Sequence, residues 1–190
     1  MKQLNLFEEM KTAKSVHGGA RTKGRRKAKR PLSTKHTIHL VLKSKKARGA
    51  FCFFKHKAAI LKVLKTYSQK YGVQIKDAVN MGNHIHLKVK IRDRKLFGHF
   101  LRTVTALIAR KITGATKAHA FGRFWDGIPF TRILKTSYEE LQLKGYFNAN
   151  RVERAQSYHV REQYLKQFNE WVYKLRRRKL LENSGPLLTR

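Results

Sequence analysis

His84-Ile85-His86 is the tightest cluster of chemistry-bearing side chains in this sequence. On a strand, side chains two apart point the same way, so both imidazoles project together, and a neutral imidazole is the commonest protein ligand for a metal ion. Lys88 and Lys90 fall on the same side of that strand. A cation held there sits beside two ammonium groups and suits a ligand that brings negative charge of its own, such as a phosphate. Spacing alone is a modest signal, because the chain holds nine histidines, and His36 and His39 show how readily neighbours arise by chance.

Carboxylates are scarce. Asp77, Asp93 and Asp126 stand singly, whereas a nuclease that clamps phosphate between two metal ions needs several carboxylates to hold them. One ion on two histidines and a neutral amide would still be a Lewis acid able to polarise a scissile phosphate. A nucleophile is then required. Cys52 lies in the apolar run GAFCFF and reads as structural, and no nucleophile-elbow motif presents a serine. Tyr138, Tyr146, Tyr158 and Tyr164 remain. Gln142 follows Tyr138 by four positions, Asn150 follows Tyr146 and Glu162 follows Tyr158, and such pairs share one face of a helix. Spacing leaves the choice among them open, and each tyrosine has the ordinary alternative of filling the edge of the core.

The elements that must position these groups follow from hydrophobic period. Lys35 to Lys43 alternates with Ile38, Leu40 and Leu42 on one face, predicting a half-buried strand. Lys57 to Tyr71 carries Ile60, Leu61, Leu64, Tyr67 and Tyr71 at helical spacing and is stopped by Gly72. Val73 to Val79 is the next strand. After Gly82 and Asn83, His84 to Ile91 alternates between Ile85, Leu87, Val89, Ile91 and His84, His86, Lys88, Lys90. Asp93 caps a helix from Arg94 to about Ile112, with Phe97, Phe100, Leu101, Val104 and Ile108 as its buried stripe, and Gly114 ends it. Arg123 to Leu134 predicts an irregular hairpin or edge strand. Ser137 and Glu140 suggest a capping box for a helix from Tyr138 to about Asn150. A last helix spans roughly Ser157 to Leu181, with Tyr164, Leu165, Phe168, Trp171, Val172 and Leu175 on one face. This order predicts an α+β fold, an antiparallel sheet with helices packed on one side, most naturally the ferredoxin-like split βαβ.

With 190 residues, 41% of them hydrophobic, the chain is expected to fold as one domain with tails. Its 44 Lys and Arg against 11 Asp and Glu give a net charge of +33, which a polyanion neutralises best, so nucleic acid is the leading partner. Between Glu9 and Asp77 there is no acid, and that interval holds twenty Lys or Arg. Residues 1–32 read as a largely disordered basic arm whose Arg21, Lys23, Arg25, Arg26, Lys27, Lys29 and Arg30 contact phosphate; the plain alternative is a solvated tail. Lys88, Lys90, Arg123 and Arg132 are further candidate DNA contacts. A single cysteine excludes an internal disulfide, and MKQLNLFEEMK has acids where a secretory signal needs a basic start, which points to the cytoplasm. No apolar run approaches the ~18 residues that cross a bilayer, so no membrane association is expected.

Met81 to Ile91, MGNHIHLKVKI, resembles the histidine-hydrophobic-histidine strand of HUH single-tyrosine transposases, often M-P-N-H-V-H-L. Downstream, the G-R-F-W-x-x-x-x-F segment from Gly122 to Phe130 and the Y-x-x-x-N of Tyr146 to Asn150 are similar to the branch associated with repetitive extragenic palindromes. Gly82 stands where that family has proline, a change expected to matter little, and Arg151 replaces the proline after the asparagine. The resemblance implies a HUH catalytic domain over residues 33–155, followed by a basic amphipathic helix and tail over 156–190. It implies an enzyme that nicks and rejoins single-stranded or hairpin DNA. His84, His86 and Asn150 would hold Mg²⁺ or Mn²⁺, and Tyr146 would attack to leave a 5′-phosphotyrosine and a free 3′-OH. Phe124, Trp125 and Phe130 are core residues or base-stacking platforms. Two rivals share parts of this pattern: a non-enzymatic nucleic-acid-binding protein and a nickase of the replication-initiator or relaxase type. Monomer and homodimer are both compatible with the sequence.

Overall fold

The structure, a computed structural model, describes residues 15–19, 29–155, 163, 165–173 and 177, with the side chains of 154 and 155 excepted. In chain order the elements are β1 (Val16–His17), β2 (Thr37–Lys43), α1 (Lys57–Lys70), β3 (Val73–Asn80), β4 (His84–Ile91), α2 (Arg94–Thr113), β5 (Phe130–Leu134) and α3 (Ser137–Ala155). Residues 1–135 and 136–190 form two compact units, so the division falls at the start of α3, inside the 33–155 region expected as one catalytic domain.

In the first unit the sheet order is β1-β5-β2-β4-β3, and every neighbouring pair is antiparallel. The run β2-α1-β3-β4-α2-β5 is the expected α+β split βαβ arrangement, with β1 added at one edge. Alternation explains the sheet's two faces. Ile38, Leu40, Leu42, Ile85, Leu87, Val89 and Ile91 bury on one side in a single core with Ile60, Val63 and Leu64 of α1 and Phe97, Phe100, Val104 and Ile108 of α2. Local signals set the helix ends: the Asp93 carboxylate accepts from Leu96 N at 2.7 Å, and Gly114 closes α2 in the left-handed conformation at φ 69°.

Three expectations are corrected. β5 is an interior strand rather than a hairpin or edge, because Val16 and His17 pair with Arg132 and Thr131 and take the edge position. The basic arm is accordingly attached to the fold at two places: Gly19 N donates to Ile128 O, and the Arg30 guanidinium donates to Pro129 O and Thr131 Oγ1. Third, the capping box of α3 is formed one residue earlier than Ser137 and Glu140. Thr136 Oγ1 accepts from Glu139 N while a Glu139 carboxylate oxygen accepts from Thr136 N.

In the second unit, α3 buries Leu143, Phe147 and Ala149. Residues 165–173 are helical, with Val172 buried but Trp171, expected in the apolar stripe, 50% exposed. A Cβ added to Gly145 would overlap the Phe168 ring, so these two helices approach closely there. The rest of the expected terminal helix, including Tyr158 and Tyr164, lies outside the described residues.

Candidate active site

The face of the sheet opposite the core carries the polar cluster. On β4 it presents His84, His86, Lys88 and Lys90; strand register sets Lys43, Val41 and His39 of β2 opposite His84, His86 and Lys88. Further across, Arg132 and Phe130 of β5 lie opposite His39 and Val41. The β3–β4 turn that delivers the histidines depends on Gly82, whose φ of 85° a proline cannot adopt and where a Cβ would crowd the Phe54 ring. The glycine is therefore a requirement of this backbone.

Both imidazoles are brought together, their ring centroids 4.7 Å apart and edge to face. Burial, with the Lys43 ammonium next, lowers the His84 pKa to about 4. His86, 5% exposed, is held well below the ordinary histidine value by burial, then by His39 and His84. Each ring is thus neutral at physiological pH, the state a metal ligand needs. Each also has its Nδ1 engaged: His84 Nδ1 bonds to Asn83 Oδ1 at 2.6 Å, and His86 Nδ1 lies 3.0 Å from His39 Nε2. Since an amide oxygen only accepts, His84 carries its proton on Nδ1 and keeps a lone pair on Nε2. His39, set aside in the sequence as a chance neighbour, is the residue that sequence reasoning missed. It is buried and stacks on His86 at 5.3 Å, and burial followed by Arg132 lowers its pKa to about 3.

Tyr146 and Asn150 lie on α3, one helical turn apart on one face. Arg151 does not break this helix where a proline would. It lies inside an element that continues to Ala155, and its guanidinium donates to Asn148 Oδ1 at 2.8 Å. Asn150 is 2% exposed, and its Nδ2 makes no hydrogen bond among the described residues. Tyr146 is half-buried, and Tyr138 sits in the first turn of the same helix. His84 and His86 belong to the first compact unit and Tyr146 and Asn150 to the second.

Among the described residues no group of three or more His, Cys, Asp and Glu is placed to hold a metal ion. The residues present nonetheless fit a divalent cation. On β4, His84 with its proton on Nδ1 offers an Nε2 lone pair, and His86 offers one in the tautomer that donates from Nδ1 to His39.

The expected DNA contacts divide. Arg132 is 5% exposed beside His39, so it is a buried neighbour of the site and not a surface phosphate contact. Arg30 is anchored to Pro129 and Thr131, and burial lowers its pKa to about 10, which leaves it charged. Lys90 donates to Lys35 O, and Lys88 lies in register with His39 and Asp77. Lys29 and Arg123 are exposed. Arg21, Lys23, Arg25, Arg26 and Lys27 lie outside the described residues. Of the aromatics, Phe124 is core and Trp125 packs on it, its indole donating to Thr105 O at 3.0 Å. Phe130 instead faces the site, edge-on to His39 at 5.9 Å. It lines a cleft of about 670 Å³ with Lys43, Lys45, Arg123, Trp125 and Ile128.

A family model for IS200-like transposases matches residues 32–150. Two solved structures match the chain, the first of them in fold. One is a REP-associated tyrosine transposase bound to a REP hairpin, with a TM-score of 0.56, 11% identity, and 68% of this chain and 74% of that chain covered. The other is a Deinococcus radiodurans R1 protein assigned as a transposase, with a TM-score of 0.42, 15% identity, and 66% and 98% covered. No curated protein sequence matches significantly.

Proposed function

The chain belongs to the IS200-like transposase family, and from that premise we propose that it nicks and rejoins single-stranded or hairpin DNA through a 5′-phosphotyrosine. The Tyr146 phenolic oxygen gives up its proton and attacks the scissile phosphorus; the bond from phosphorus to the 3′-oxygen breaks, and that oxygen leaves as a 3′-OH after taking up a proton. Because the phosphotyrosine ester keeps the bond energy, a second 3′-OH can attack it and return the tyrosine, with no nucleotide consumed.

One observation supports this reading above the others: on a single strand, two neutral imidazoles lie 4.7 Å apart and each has its Nδ1 in a hydrogen bond. Nε2 of His84 and His86 and the side-chain oxygen of Asn150 would hold Mg²⁺ or Mn²⁺, which when bound supplies Lewis-acid polarisation of the phosphate. Asn150 Nδ2 has a donor to spare for a phosphate oxygen. Lys43, Lys45 and Arg123 around the cleft and the basic run at Arg21–Arg30 supply charge for the DNA backbone. Phe130 offers a ring to an unpaired base. The hairpin in the similar REP-associated transposase supports hairpin DNA as the substrate class here. Residues 33–155 would carry the chemistry. The reading places the protein on DNA in the cytoplasm. No helix among the described residues is long and apolar enough to cross a membrane.

Incubation of the full chain with single-stranded hairpin DNA and Mg²⁺ tests this. A protein-DNA adduct that survives denaturation is expected, together with joining of a second strand. Binding with no adduct would favour the purely binding protein, and an adduct with no joining would favour a nickase of the replication-initiator or relaxase type.

A further inference from the structure

His39 has no part in the chemistry proposed above, yet it is among the most enclosed polar residues of the sheet, 3% exposed. Strand register explains how it reaches His86. Val41 of β2 lies directly opposite His86, so His39, two residues along on the same face, is its diagonal neighbour, a separation that aromatic side chains span. The two rings stack with an interplanar angle of 22°, and His39 Nε2 stands 3.0 Å from His86 Nδ1. A hydrogen bond between two neutral imidazoles contains a single proton, on one nitrogen or the other. If His39 donates, His86 must carry its own proton on Nε2, and neither nitrogen of His86 can then bind a cation. If His86 donates from Nδ1, its Nε2 lone pair is open.

We propose that His39 is a positioning residue of the metal centre, accepting the His86 Nδ1 proton at Nε2 and so fixing both the tautomer and the ring plane in which His86 presents Nε2. The inference rests on the metal-centre reading given above. His39 does for His86 what the Asn83 carboxamide oxygen does for His84 at 2.6 Å, so each ligand has its own acceptor. Outer partners of this kind set the orientation and basicity of ligating histidines. Around His39, Arg132 lies opposite it in β5 and the Phe130 ring packs edge-on at 5.9 Å.

The test compares Mn²⁺ binding, read by electron paramagnetic resonance, for the full wild-type chain and the variants His39→Phe and His39→Gln. Phenylalanine keeps a stacking ring and removes the acceptor; glutamine restores an acceptor oxygen at similar reach. The expected result is about 10- to 100-fold weaker Mn²⁺ binding by His39→Phe, recovered for the most part in His39→Gln, with hairpin DNA binding unchanged. Wild-type affinity in a folded His39→Phe would overturn the proposal while leaving the metal centre intact. Absence of Mn²⁺ binding by wild type itself would overturn both. Should His39→Phe fail to fold, ¹⁵N histidine spectra of the metal-free wild type decide. A proton on His86 Nδ1 supports the assignment, and a proton on His86 Nε2 sinks it.

Discussion

Asn83 and His84 are consecutive, and the side-chain oxygen of the first accepts from the Nδ1 of the second at 2.6 Å, so the residue that makes the turn also selects the proton position of the residue that follows. Asn83→Ala should therefore reduce metal-dependent nicking by about 10- to 100-fold without loss of hairpin DNA binding. His84→Ala should abolish nicking. His84 is the cleaner ligand to remove, because His86 is 5% exposed and its loss also opens a cavity beside His39. Gel assays of nicking and binding on the same samples, with an EDTA control that also stops cutting, check both outcomes. Normal cutting by His84→Ala would reduce the pair to two sheet-face histidines.

Tyr146→Phe removes one oxygen and keeps the ring. The variant should bind hairpin DNA and Mn²⁺ as wild type does and form no covalent adduct, whereas Tyr138→Phe and Tyr158→Phe should still form one. Peptide mapping of the wild-type adduct should place the nucleotide between Gly145 and Arg151. An adduct on Tyr138 would move the nucleophile to the first turn of α3 and remove the case for Asn150 as a ligand.

Acidification should destabilise the metal-free protein. His84, His86 and His39 are neutral when folded, with pKa values of about 4 for His84 and about 3 for His39 and a lowered value for His86, and burial is the leading cause in each. Unfolded histidines protonate near 6.5, so below that pH the unfolded chain binds more protons and stability falls, until the folded pKa values are reached. Each histidine contributes at most about 1.4 kcal/mol per pH unit across that window. Chemical denaturation in EDTA from pH 7 to pH 4 should show the decline, and a flat profile would mean that the three rings are solvated.

Neutralising the basic run by Arg21→Gln, Arg25→Gln and Arg26→Gln should weaken binding and leave the cut intact. For every single-strand phosphate that is no longer neutralised, the log-log salt slope should become shallower by about 0.7. Substitution is a better test than deletion of residues 1–31, because Val16, His17 and Arg30 are built onto β5. Equal binding by the triple variant at every salt concentration would take the run out of DNA recognition.

Much of this fold is legible in the chain. The alternation from His84 to Ile91, the Asp93 cap and the Gly114 stop are local signals, and the structure uses them where they occur. What the sequence hid depends on long-range pairing. His39 becomes a partner of His86 only through the β2–β4 register, 47 residues apart. Arg132 is buried only because β5 lies between β2 and the two-residue β1, an element too short to show any period. Thr136 displaces Ser137 as the cap because both sequences satisfy the same short pattern, and only the backbone path selects between them.

The bonds made by Gly19 and Arg30 converge on one short segment: Gly19 N donates to Ile128 O, and the Arg30 guanidinium donates to Pro129 O and Thr131 Oγ1. Gly19, Ile128, Pro129 and Phe130 also line the cleft that Lys43, Lys45 and Arg123 share. A substitution at Gly19 or Arg30 therefore alters the wall of that cleft as well as the charge around it, and the two effects must be separated when either residue is changed.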